Sequence, residues 1–87
     1  MNISKQITAI KDCLHHERNV EVTYLVSTFD SNIVTYYVTW SAGTNDEVNR
    51  KIELTVEKNK VFWLVTDYIG NTMNLIDSLR KAIREAK

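Results

Sequence analysis

Asp12, Cys13, His15, His16 and Glu17 are the densest group of reactive side chains in this chain. A cysteine beside a histidine can act as a nucleophile with its base, and cysteine, histidine and carboxylate are all zinc ligands. On a helix, Asp12 and His16 are four apart, as are Cys13 and Glu17, so each pair shares a face. A structural zinc site closes with about four ligands. The chain holds no other cysteine or histidine, so only a site shared between two copies remains conceivable. A nucleophilic pair also needs an orienting third group and an oxyanion site. Gly43 and Gly70 are isolated, so no glycine-rich elbow or phosphate-cradling loop is present. Glu53 and Glu57 lie four apart on one strand face, where cross-strand pairing with Lys51 and Lys60 accounts for them. The sequence therefore predicts no enzyme, no cofactor and no metal. Cys13, beside Leu14, reads as a small buried hydrophobe.

The elements around these residues follow from periodicity. Ile3, Ile7, Ile10 and Leu14 form one apolar stripe on a helix of about four turns, with Asn2 or Ser4 as its cap. His15 to Asn19 end it. Val20, Val22, Tyr24 and Val26 alternate with Glu21, Thr23, Leu25 and Ser27 as a first strand. Phe29 to Asn32 make a turn. Val34, Tyr36, Val38 and Trp40 define a second strand, and Ser41 to Asn49 form the only real loop. Ile52, Leu54 and Val56 define a third strand. Lys58-Asn59 is a two-residue turn in which asparagine tolerates the left-handed conformation. Val61 to Thr66 make a fourth strand. Gly70-Asn71-Thr72 break it and cap a last helix, with Leu75, Ile76, Leu79, Ala82, Ile83 and Ala86 on one face. Short connections favour an antiparallel meander. The expected fold is a single α+β domain over 1–87: a two-layer sandwich in the order helix, four strands, helix. Both helices should lie on one face of the sheet.

One face of that sheet does not fit the usual alternation. With Lys58-Asn59 as the turn, Glu57 pairs with Lys60, Val56 with Val61, Leu54 with Trp63 and Ile52 with Val65, all but the first facing the helices. Phe62, Leu64 and Thr66 then point away from the helices. Leu25, Phe29 and Tyr37 share their side by parity. Single exposed apolar residues are ordinary on any protein surface; a cluster of them marks a contact surface.

Composition narrows the classes further. There is no proline and there are two glycines, against roughly four and about six at average usage. Collagen-like and linker proteins are excluded, and long loops are disfavoured. Apolar residues are 44% and charged residues 25%, as in an ordinary globular domain. Eleven basic and eleven acidic groups cancel, which removes any drive toward bulk DNA and favours self-association. Residues 20–67 carry four basic and seven acidic groups, and the flanking segments an excess of three positive charges. Arg80, Lys81, Arg84 and Lys87 complement the last helix's dipole. The first ten residues read as an amphipathic helix rather than a secretory leader, and Val61 to Val65 is too short to span a bilayer. A single cysteine and these features predict a cytoplasmic location.

The opening Met1-Asn2-Ile3, with Ile7 and Ile10-Lys11, resembles the start of small prophage type II-A anti-CRISPR proteins. Val20-Glu21-Val22 and Asp30-Ser31-Asn32-Ile33 are similar to their first hairpin. The resemblance covers about the first third of the chain. It implies a compact inhibitor that blocks the DNA-engaging groove of a CRISPR nuclease, with Asp30, Asp46 and Glu47 as acidic contacts. Those inhibitors are acidic, whereas this chain is neutral with a basic last helix; mimicry of nucleic acid needs a strong negative field.

Three functional classes follow. The first is a protein-binding module, of phage or mobile-element type, that occludes a host protein such as a CRISPR effector or other defence nuclease. It would act through Phe62, Leu64, Tyr37, Leu25 and Phe29, rimmed by Asp30, Asp46 and Glu47. The second binds single-stranded nucleic acid, with aromatics stacking bases and Arg80, Lys81 and Arg84 on phosphates. The third is a structural homodimer.

Overall fold

A computed structural model describes residues 2–41, 49–58, 60–65 and 72–86. The elements are α1 (Ile3–Cys13), β1 (Arg18–Val26), β2 (Ile33–Ser41), β3 (Asn49–Glu57), β4 (Lys60–Val65) and α2 (Thr72–Glu85). The strands form one sheet in the order β1-β2-β3-β4 with every neighbour antiparallel. The expected α+β meander is thus the observed architecture.

Local chemistry explains the boundaries. Asn2, not Ser4, caps α1: its side-chain oxygen accepts from the Lys5 N–H at 3.0 Å, satisfying one of the helix's orphan donors. In the β1–β2 turn the Asp30 carboxylate accepts from the Asn32 N–H at 2.9 Å, and the Asp30 carbonyl accepts from the Ile33 N–H at 3.0 Å. The turn therefore rests on aspartate rather than on Asn32. Asn19 has φ 54°, but it lies inside β1, where the register slips between Arg18 and Glu21; it makes a bulge rather than a turn. Lys58 carries φ 56° in the β3–β4 turn. Asn59, Asn71 and Gly70 lie outside the described residues.

The inner faces of the strands and the stripes of both helices share one core. Ile10 and Leu14 of α1 and its exit meet Ile76, Leu79 and Ile83 of α2, over Val34, Tyr36, Val38, Trp40, Ile52, Leu54, Val56 and Val61. By register all these strand residues share one face, Val61 standing opposite Val56, so both helices lie on one side. Burying each such aliphatic side chain is worth about 1.5–3 kcal/mol before the entropy of ordering it is charged. The helices run antiparallel: Cys13 Sγ approaches the Ser78 carbonyl at 3.8 Å at one end, and Ser4 and Lys5 share a groove with Glu85 and Ala86 at the other. A polar tie crosses the core, from the buried Tyr36 hydroxyl to Gln6 Oε1 on α1.

Candidate interaction surface

The outward face is built by register. One row runs Leu25, Thr35, Thr55, Phe62 across the four strands, and the next runs Thr23, Tyr37, Glu53, Leu64. Leu25 is 61% exposed, Phe62 54%, Leu64 57% and Tyr37 38%. Phe62 and Leu64 are neighbours on β4. Leu25 and Tyr37 are diagonal neighbours across β1 and β2, within reach of an aromatic ring. With strands about 4.8 Å apart, Leu25 and Phe62 stand about 14 Å from each other. Between them the Thr35 and Thr55 hydroxyls hydrogen-bond at 3.1 Å. The apolar residues are therefore two pairs split by a polar seam, not the continuous stripe that parity alone suggests.

Several expected contacts move. Phe29 is 98% exposed, but β1 ends at Val26, so strand parity does not reach it. It projects from the hairpin turn, where its N–H donates to Ser27 Oγ at 3.2 Å. Asp30 is exposed in the same turn. Asp46 and Glu47 lie outside the described residues. Glu53 faces Tyr37 on one side and Leu64 on the other, not a lysine as expected. Glu57 does oppose Lys60, and Lys51 opposes Thr39.

The reactive cluster near Cys13 is also dispersed. α1 ends at Cys13 with Leu14 as its cap, so His16 and Glu17 are not on the helix and the two expected four-residue pairings do not form. His15 Nδ1 lies 2.8 Å from the Asp12 carbonyl oxygen, and His16 Nε2 lies 3.5 Å from Glu17 Oε1. Among the described residues, no three histidine, cysteine or carboxylate groups come together to hold a metal. Burial pushes the Cys13 thiol above its ordinary value, and the Asp12 carboxylate adds to the effect. A reactive cysteine needs the opposite shift.

Arg80, Lys81 and Arg84 sit on α2, on the helix side of the sheet. Arg80 is half-buried, while Lys81 and Arg84 are exposed. The basic helix and the outward aromatics occupy opposite layers. A strand of nucleic acid that stacked on those aromatics would have to pass around the sheet to bring its phosphates to α2.

Trp63 and Tyr24 were not expected at the surface. Both have inward parity, yet Trp63 is 39% and Tyr24 50% exposed. They lie on β4 and β1, the two edges of the sheet. The signal was the meander itself, because its first and last strands have a neighbour on one side only.

The fold and surface define a small two-layer α+β protein in which, among the described residues, no helix covers one side of the sheet. No protein-family model, curated protein or solved structure matches the chain. Among the described residues, no helix is long and apolar enough to cross a membrane.

Proposed function

We propose that this protein is a non-enzymatic binding module that occludes a surface of a partner protein through the helix-free face of its sheet. One observation carries the reading: Leu25, Tyr37, Phe62 and Leu64 stand exposed on that face, where antiparallel sheets normally present polar residues to water. Tyrosine and phenylalanine are typical anchors of protein interfaces. The threonines and Glu53 between them form the polar setting that such anchors need.

The partner we propose is a host defence protein, a CRISPR nuclease being the first candidate, met in the cytoplasm. The resemblance of residues 1–33 to anti-CRISPR inhibitors supports this choice. The charge pattern changes its expected mode. By register the outward positions carry Glu21, Glu53 and Glu57 against Arg18, Lys51 and Lys60, too even a balance to imitate a nucleic-acid backbone. Contact through apolar anchors is the mode this surface supports.

The test compares wild type with the Tyr37→Ala/Phe62→Ala double variant. Both are used for affinity capture from host lysate and as additions to a type II-A nuclease cleavage assay. Wild type should retain a host protein that the variant loses, and should slow DNA cleavage where the variant does not. Identical capture by both would end the sheet-face reading. Unimpaired cleavage would end the anti-CRISPR assignment.

A further inference from the structure

Among the described residues, β4 is a sheet edge with no strand beyond it, and it carries exposed side chains. Lys58 has φ 56°, as the first loop residue of a type I′ hairpin does, and Glu57 opposes Lys60 across the turn. In such a hairpin the closing pair exchanges both main-chain hydrogen bonds, and the pattern alternates from there. Lys60, Phe62 and Leu64 thus direct their N–H and C=O toward β3. Val61, Trp63 and Val65 direct theirs to the open side, since β4 ends the sheet. Phe62 and Leu64 are exposed on one face of this strand and Trp63 on the other. Lys60 is the only charge in its six residues, and no bulge interrupts it. Proteins usually blunt such an edge with bulges or charges. The far edge has a bulge between Arg18 and Glu21; β4 has none.

We propose that β4 pairs antiparallel with β4 of a second copy about a twofold axis at Trp63, joining two four-stranded sheets into one of eight. Hydrogen-bond parity requires positions 61, 63 and 65 to face one another, and of the registers that do so only the one centred on Trp63 pairs all three. Trp63 opposes Trp63 of the second copy and Val61 opposes its Val65, so every outward N–H and C=O at these positions finds a partner. Phe62 then faces Leu64 of the other copy, and Leu64 faces its Phe62. Four apolar side chains become contiguous on the outer face, which one copy alone does not provide.

Charge permits the pairing. Lys60 falls outside the 61–65 overlap, so no like charges stand opposite, and the neutral chain does not repel its copy. Area sets the strength. A large side chain carries on the order of 200 Å², so Phe62, Trp63 and Leu64, about half exposed, offer at most roughly 300 Å² per copy, and the part on the outer face stays uncovered. Both copies together bury less than roughly 600 Å² of side chain, below the roughly 1,200 Å² of a stable interface. The dimer is therefore weak and concentration-dependent. It is also closed: a twofold contact uses both β4 edges, whereas β4 on β1 would leave an edge free and grow into fibres.

Purified protein alone tests this, so the outcome is independent of any host partner. Light scattering from micromolar to millimolar concentration should show the mass rising from 10.1 kDa and levelling at twice that value. Amide exchange at Val61, Trp63 and Val65 should slow several-fold with concentration, while exchange at Phe62 and Leu64 stays constant. Leu64→Lys, at an exposed position, should hold the protein monomeric. In a Cys13→Ser background, Trp63→Cys should form a covalent dimer on mild oxidation far faster than Leu25→Cys. A constant mass at millimolar concentration, growth without a plateau, or equal cross-linking at both positions overturns the proposal. The exchange measurement uses wild type, so it decides the matter even if the tryptophan variant fails to fold.

Discussion

Replacing Tyr36 with phenylalanine removes one oxygen from the centre of the molecule. The ring is fully buried, and its hydroxyl donates to Gln6 Oε1, tying α1 to β2. Tyr36→Phe leaves the Gln6 oxygen buried without that donor, which costs about 1–3 kcal/mol. Gln6→Leu strands the hydroxyl instead and costs a similar amount. The double variant replaces both partners with apolar groups and should lose much less than the sum. The effect also depends on pH. Burial, and then the nearby Tyr24, pushes the Tyr36 phenol up to about 12 from 10.0. The neutral form is the one the folded state prefers. Its stabilising contribution is thus complete below pH 10 and is lost as pH rises from 10 through 12. At about 1.4 kcal/mol per pH unit, the loss approaches about 3 kcal/mol by pH 12. Tyr36→Phe has no such loss. Urea unfolding at pH 7 should place wild type above the variant by about 1–3 kcal/mol with the same m-value, and the gap should close or reverse by pH 12. A gap that stays constant from pH 9 to pH 12, or a double variant as damaged as the two singles combined, would refute this account of the core.

Two further outcomes follow from the local geometry. The Cys13 thiol is raised by burial and by Asp12, so it should react with a thiol reagent at pH 8 several-fold more slowly than free cysteine; Asp12→Asn should speed it, and a rate above that of free cysteine would contradict the raised value. Lys58 holds φ 56°, a left-handed conformation that asparagine tolerates better than lysine. Lys58→Asn should therefore stabilise by about 0.5–1 kcal/mol, seen as a melting temperature higher by about 2–8 °C; an unchanged or lower value would show that the turn stores no strain there.

The sequence carried most of the architecture because its signals were local. The alternation in Ile52, Leu54 and Val56 and the position of Lys58-Asn59 fix a register from Glu57↔Lys60 to Ile52↔Val65, and that is the register observed. Helix stripes were equally legible, since Ile10, Leu14, Ile76, Leu79 and Ile83 are all buried. What failed depended on where an element ends. Ending α1 at Cys13 removes the helical spacing that would join Asp12 to His16. Ending β1 at Val26 frees Phe29 from parity. At Asn19 positive φ makes a bulge within β1 and not the end of a turn, and in the Phe29 to Asn32 turn Asp30 supplies the carboxylate that closes it. Charge pairing at Glu53 failed because spacing along one strand says nothing of which residues the neighbouring strands place beside it.

The face and the edge are not independent surfaces. Phe62 and Leu64 are outward residues of the last strand, so they belong both to the uncovered face and to the open edge. The Thr35–Thr55 bond and Glu53 divide the face within one copy, leaving each apolar pair too small to anchor a large interface alone. Pairing through β4 would set Phe62 and Leu64 against their counterparts and move the apolar centre to the twofold axis, with Tyr37 and Leu25 at its flanks on either side. A partner protein that docks there would then meet a surface existing only in the dimer, and its binding would rise more steeply than linearly with protein concentration. A partner that reads one copy's Tyr37 and Leu25 would bind linearly and would compete with nothing at the edge. The shape of the binding curve thus separates two uses of one sheet that static exposure alone makes look the same.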